Sequence, residues 1–240
     1  MNPRQRVEQQ PGFILHSYPY RETSLIVEVF SRDHGRLPLL AKGARRPMSA
    51  LRGVLMAFQP LLVDWTGGGE LKILARAEWQ GGQPLLAGRS LLWGYYLNEL
   101  LVKLLPREDA HGALFERYRE TLAILAAAEP GEEVLRRFEL SLLSELGYGL
   151  DLSSEADSGA PVREAGHYLY IIERGVVETD QDGADGLVLP GRVLLDMARG
   201  DFTRPETALQ GKLLLRRLIN HHLGGQPLQS RRVFMELQEL

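Results

Sequence analysis

Cysteine is absent from all 240 residues. That excludes disulfides, thiolate nucleophiles, iron–sulfur clusters and cysteine-ligated zinc. Long apolar runs are absent too. No segment reaches the roughly 18 consecutive apolar residues of a membrane span. The opening MNPRQRVEQQ lacks the apolar stretch of a secretory signal. A cytoplasmic protein without membrane contact is expected. Catalytic motifs are also missing: there is no G-x-x-x-x-G-K-[ST] loop, no H-E-x-x-H, no G-x-S-x-G elbow and no G-x-G-x-x-G after a strand. Of the six histidines only His221 and His222 are close in sequence, and adjacent helix positions do not face one way. The run from Asp180 to Gly186 resembles a calcium loop but fails the count. Ala184 stands at position five, Asp185 stands where glycine is needed, and Gly191 stands where the closing glutamate belongs. It reads as a solvated acidic loop. Glu132 and Glu133 read as charges at a helix N-terminus, not as an acid–base pair. No catalytic group, cofactor or metal is expected, and the protein is read as not an enzyme.

What is present is a folded composition, 44% hydrophobic and 25% charged, at a length that suits one large domain or two or three small modules. The net charge of −3 is unevenly spread: residues 1–52 hold nine Lys/Arg against four Asp/Glu, +5, which leaves −8 for the rest. Within 32–52, Arg32, Arg36, Lys42, Arg45, Arg46 and Arg52 face only Asp33. Such asymmetry points either to a localised polyanion-binding surface or to an ordinary solvated basic face.

The pattern predicts strands at Phe13–His16, Ser24–Phe30, Arg36–Ala41, Gly53–Trp65 and Leu71–Trp79, with Pro38 marking an edge or bulge and Gly67-Gly68-Gly69 a hairpin turn. Five short strands in about 70 residues predict a small antiparallel barrel, of OB or SH3-like type. After Pro84 the period becomes helical, with helices over 85–105, 111–128, 131–146, 205–222 and 227–238. Between them, about 150–190, lies an irregular acidic segment with one hairpin, His167–Ile172 and Gly175–Val177. The expectation is an α+β protein: a five-stranded OB-type barrel over 1–80, a helical bundle over 81–150 and 201–240, and an acidic insert over 151–200.

The basic segment carries the candidate chemistry. Lys and Arg neutralise phosphates and release counterions, Arg binds them bidentately, and Gly43 lets the backbone come close. Arg36, Lys42, Arg45, Arg46 and Arg52, with Arg21 and Arg32 in support, are the candidate nucleic-acid contacts. Tyr18, Tyr20 and Phe30 are candidate stacking platforms, with core filling the bland alternative, most of all for Phe30. A second basic cluster comprises Arg204, Lys212, Arg216, Arg217, Arg231 and Arg232. Its Arg216 and Arg217 follow the apolar run Leu213–Leu215, and the site would suit an acidic peptide with an aromatic anchor, unless it is simply the polar side of an amphipathic helix.

Several separated motifs then carry a family resemblance. Tyr20-Arg-Glu22-Thr-Ser24, His34-Gly35-Arg36 and Ala41-Lys42-Gly43-Ala44-Arg45-Arg46-Pro47 resemble the opening of the RecO family of bacterial recombination mediators. Tyr96-Leu-Asn-Glu99-Leu100, Phe138-Glu139-Leu140, Leu146-Gly147-Tyr148 and Leu223-Gly224-Gly225 are similar to its helical signatures. The resemblance implies an OB-fold, a helical bundle and an inserted module. It implies binding of single- and double-stranded DNA, strand annealing, and loading of recombinase RecA onto DNA coated by single-strand-binding protein. It also implies a nucleoid-associated location, RecR as a partner, and docking of the coat protein's acidic C-terminal tail, for which Leu214, Arg216, Arg217, Arg231 and Arg232 are the candidates. Many members carry four zinc-binding cysteines in the insert. Here the first pair would fall near Glu155 and Ser158, so the chain resembles the zinc-free branch. A different class of reading remains: an adaptor whose barrel binds peptide or RNA. A metal-dependent nuclease built on the acidic insert is a more distant one.

Overall fold

A computed structural model describes residues 6–127, 130–148, 150–179 and 187–238. The candidate calcium loop at 180–186 lies outside them. The chain forms two compact units, Met1–Pro130 with Leu228–Leu240, and Gly131–Pro227.

The first unit is built on a closed barrel of strand order β1-β2-β3-β5-β4. Its strands are β1 (Arg6–Tyr20), β2 (Ser24–Ser31), β3 (Gly35–Ala41), β4 (Leu61–Thr66) and β5 (Lys72–Trp79). β1 is much longer than its apolar centre predicts. One half pairs with β4 and the other with β2, so one bent strand closes the barrel. The bend falls between Val7 and Gln10, where Gln9 has φ 55° and its N–H donates to the buried Asp64 carboxylate at 2.7 Å. β3 runs antiparallel to β2 and parallel to β5, touching β5 only at Leu39 and Leu40. Pro38, which has no N–H, lies on the stretch that β5 does not reach, as an edge proline should. Alternate residues Val27, Val29, Leu37, Leu39, Leu61, Val63 and Trp65 fill the interior.

The expected strand Gly53–Trp65 is corrected. Its first part is a helical turn, α1 (Leu51–Val54), and β4 begins only at Leu61. Leu51, Val54 and Leu55 stand at the i, i+3, i+4 spacing of one helix face and pack against the barrel core. Helices α2 (Gly88–Leu104) and α3 (Gly112–Ala126) share that unit. Phe13 and Phe30 meet Phe115 and Tyr118 with ring centroids 5.2–6.1 Å apart. Buried Asn98 donates to the Leu15 carbonyl at 2.8 Å and accepts from the Tyr118 hydroxyl. Burial holds that phenol far above its ordinary range.

Helix α7 (Gln229–Gln238) returns to the first unit. The Glu99 carboxylate of α2 caps its start, accepting from the N–H groups of Gln229 and Ser230 at 2.9 Å and from the Ser230 hydroxyl at 2.7 Å. Lys103 lies 3.2 Å away. Burial opposes the charge on Glu99, but the Ser230 and Gln229 donors and Lys103 outweigh it and hold its carboxyl below the usual range. A carboxyl depressed in the folded state stabilises above its unfolded value of about 4.3 and loses that contribution as pH falls through the folded one. Amide exchange at Gln229 and Ser230 should therefore stay slow at neutral pH and accelerate, relative to the unfolded rate, only below about pH 4. Glu99→Gln should abolish that acid dependence; an unchanged profile in this variant would show that another group controls the α7 attachment.

The second unit comprises α4 (Glu133–Glu145), β6 (His167–Ile171), β7 (Gly175–Glu178), β8 (Val188–Pro190), α5 (Gly191–Ala198) and α6 (Pro205–His222). The hairpin β6–β7 is where the pattern placed it, and β8 adds a third strand in the order β7-β6-β8. Helix α5, within the 151–200 assigned to the insert, buries Val193, Leu194 and Met197. This division differs from the expected barrel, bundle and insert: α2, α3 and α7 belong with the barrel, whereas α4 and α6 belong with the insert. α2 and α3 group with the barrel because they share its polar and aromatic contacts.

Candidate nucleic-acid interface

Two loops meet at one end of the barrel. One is the turn between β1 and β2, the other the chain leaving β3. The Arg45 N–H donates to the Thr23 carbonyl at 2.8 Å, and the Gly43 N–H to the Ser24 hydroxyl at 3.4 Å. Arg45 Nη1 also reaches the Arg21 carbonyl at 3.3 Å. Between the cations, Ala44 is buried in the barrel core. That anchor leaves Lys42, Arg45 and Arg46 facing solvent. Gly43 takes φ +70°, and the Arg46 N–H closes the turn onto its carbonyl at 3.1 Å. Arg21, at φ 51°, holds its guanidinium 5.3 Å from the Tyr20 ring centroid. Exposed Arg52 follows on α1. Among the described residues, none of Arg21, Lys42, Arg45, Arg46 and Arg52 is paired with a carboxylate.

Arg32 and Arg36 lie elsewhere. They sit at the Ser31–Gly35 end of the β2–β3 hairpin, six pairs from the Leu25–Ala41 end, or about 20 Å along the strands. Exposed Arg32 makes a bidentate contact with Asp33 at 2.9 and 3.0 Å, which depresses the Asp33 carboxyl. Arg36 is corrected to a structural role. Its side chain is only 12% exposed; Nη1 donates to Glu28 at 2.9 Å, and Nε and Nη2 donate to the Leu105 carbonyl at 3.1 and 2.9 Å. The signal for this was Glu28 itself, an acid inside the apolar strand Ser24–Phe30, which needs a cation when buried. Phe30 fills the core, whereas Tyr18 stays 42% exposed.

The second cluster divides as well. Arg216 and Arg217 are exposed on α6 of the second unit, while Arg231 and Arg232 are on α7 of the first. Lys212 and Arg204 have acid partners, Glu132 and Asp196. Leu214 is corrected to a core residue, 1% exposed. The apolar side chains that α6 leaves open are Leu209 and Leu213, one turn apart and 61% and 46% exposed.

Where zinc-binding relatives would carry their first cysteine pair, hydrogen bonds tie the loop. The Ser158 hydroxyl donates to Glu155, and the Glu155 N–H donates to the Ala160 carbonyl at 2.8 Å. Asp151 accepts from the Ser153 hydroxyl and from the Ser153 and Ser154 N–H groups, which depress its carboxyl. Arg174 grips Asp157 at 2.6 and 3.1 Å. Among the described residues no group of three His, Asp or Glu side chains is placed to hold a metal. Likewise none of the described helices is long and apolar enough to cross a membrane.

Comparison with known proteins covers nearly the whole chain. The family described as Recombination protein O N terminal matches residues 5–82, and Recombination protein O C terminal matches residues 86–232. Similar proteins include the DNA repair protein RecO of Aromatoleum aromaticum, 64% identical over the full length of both chains. Those of Azoarcus sp. strain BH72 and Dechloromonas aromatica are 62% and 54% identical, also over full length.

Proposed function

From the premise that this chain belongs to the RecO family of DNA repair proteins, we propose that it is a non-enzymatic recombination mediator that binds single- and double-stranded DNA through the loop end of its barrel. The observation that carries this reading is the set Arg21, Lys42, Arg45, Arg46 and Arg52. Among the described residues these are exposed cations without carboxylate partners, four of them on two loops that hydrogen-bond to each other and Arg52 on the adjoining α1. A rigid display of this kind neutralises phosphates without reading bases. Annealing of complementary strands then needs no cofactor, since the cations lower strand repulsion and base pairing supplies the free energy. Loading of RecA onto coated DNA, with RecR as a partner, belongs to the same reading.

For the coat protein's acidic tail, the exposed Leu209 and Leu213 beside Arg216 and Arg217 on α6 support a docking stripe, apolar residues for an aromatic anchor and guanidiniums for the acids. Arg231 and Arg232 remain candidates on α7.

Fluorescence anisotropy of labelled single-stranded DNA across a salt series tests the proposal. Several phosphate contacts should appear as a log–log slope of several units, about 0.7 per contact. Arg45→Glu with Arg46→Glu should weaken binding about 10- to 100-fold for every sequence and flatten the slope by about 1.4. Arg216→Glu with Arg217→Glu is the control that should spare bare DNA. Unchanged affinity in the first double variant would remove the assignment.

A further inference from the structure

Beside the basic loops, the first unit carries an open groove of about 380 Å³ between β1, α2 and α7, within the size range of small-ligand sites. Its walls are mainly apolar and partly aromatic. On β1, residues His16, Tyr18 and Tyr20 pair in regular register with Glu28, Ile26 and Ser24 of β2, so all three share the outward face. His16 and Tyr18 pack ring to ring at 4.3 Å, too close for anything to enter between them. They form one aromatic wall. α2 supplies the facing wall with Leu92 and Tyr95, the latter half-exposed and fixed edge-on against Phe58 at 5.1 Å. Val233 of α7 closes one side.

The amide and the carboxylate that α2 turns into the groove are already engaged. Asn98 bonds to the Leu15 carbonyl and Tyr118, and Glu99 to the start of α7 and Lys103. The groove therefore offers flat apolar faces and no unsatisfied carboxylate to repel a polyanion. It opens from the same strand that ends at Tyr20 and Arg21. Tyr18 lies three residues before Arg21, about 10 Å along an extended strand.

We infer that this groove receives an unstacked nucleobase of single-stranded DNA, lodged against Tyr18 and Tyr95, while the adjoining phosphates lie on the basic loops. The inference rests on the DNA-binding reading above and adds a subsite to it. A base lodged between the β1 and α2 walls has to leave its stack, which a paired base cannot do without breaking its pair. With Asn98 and Glu99 committed within the protein, the base is held chiefly by stacking, which every base offers, so the pocket accepts any base.

The test compares an oligothymidylate with a blunt duplex, by anisotropy, for the intact protein and for Tyr18→Ala, Tyr95→Ala and Tyr18→Phe. The two alanine variants should weaken single-strand binding roughly 5- to 100-fold, leave duplex affinity and the salt slope unchanged, and spare the sequence-independent behaviour. Tyr18→Phe keeps the ring and should bind as the intact protein does. A 5-iodouracil-substituted strand should photocrosslink to Tyr18 or Tyr95. Equal losses on duplex and single strand overturn the inference. So does normal single-strand binding by the alanine variants, the result expected if the groove takes a partner protein's side chain or a second copy. If charge reversal at Arg45 and Arg46 abolishes binding while the tyrosine variants bind normally, only the pocket falls. If the intact protein binds neither probe, the functional reading falls with it.

Discussion

Glu28→Ala should destabilise the first unit by about 3–5 kcal/mol, the range for removing one partner of a buried ion pair. At 2–4 °C per kcal/mol for a chain of this size, that lowers the melting temperature on the order of 10 °C. Glu28 is 3% exposed and holds two arginines, Arg36 from β3 and Arg107 from the chain after α2, each at 2.9 Å. Arg107 is half-exposed and can turn to water. Arg36 cannot, because its other donors are committed to the Leu105 carbonyl inside the fold. The variant therefore leaves a buried guanidinium with no anion beside it. Glu28→Gln retains an acceptor and should lose less. A cost below about 1 kcal/mol for Glu28→Ala would mean that Arg36 rearranges to solvent at little expense. Thermal or urea unfolding of the three proteins measures this directly.

Gly35→Ala should cost about 3 kcal/mol or more at the same junction. Gly35 has φ +64°, and a Cβ there would stand 1.9 Å from the Asp109 carbonyl oxygen and 2.5 and 2.8 Å from that residue's carbonyl carbon and nitrogen. No rotamer relieves a clash between a Cβ and main chain, so the segment 105–109 must move. That segment lies along the part of β3 that β5 leaves unpaired. The Glu108 N–H donates to the Arg36 carbonyl at 2.9 Å, and Lys72 of β5 reaches the Glu108 carboxylate at 2.5 Å. Moving it breaks both contacts and releases Arg36 as well. Faster amide exchange at Glu108, beyond the general loss of stability, is the local signature. A near-native melting temperature in Gly35→Ala would show that the loop gives way easily.

These two residues mark the limit of what the sequence discloses. The barrel was legible because its strands carry β-branched residues at alternate positions, and the helices because their apolar residues follow the helical period. α1 was missed although Leu51, Val54 and Leu55 have helical spacing, since one turn is too short to outweigh the β-rich stretch around it. Burial of Arg36 was hidden because a single arginine after a turn looks the same whether it meets water or a buried acid; only its long-range partners, Glu28 and Leu105, decide. On α6 the distinction was available. Leu214, Leu215, Leu218 and Ile219 form the buried stripe, while Leu209 and Leu213 form a second one beside it. Reading the run Leu213–Leu215 as a block concealed that. The groove wall on β1 was half visible as Tyr18, but α2 and α7 complete it, and no local pattern announces that a chain will return after 130 residues.

That return sets an order of events during synthesis. Glu99 leaves the ribosome 130 residues before the Gln229 amide that it caps, an interval on the order of 10 s at bacterial elongation rates. Throughout it, the barrel and α2 can assemble while one side of the groove lacks its last wall. The nascent chain therefore passes through a stage in which an apolar face of α2 is open and the carboxylate at its edge is solvated. A ribosome stalled within the second unit would hold that face exposed, an address for chaperones that the finished chain withdraws when α7 docks.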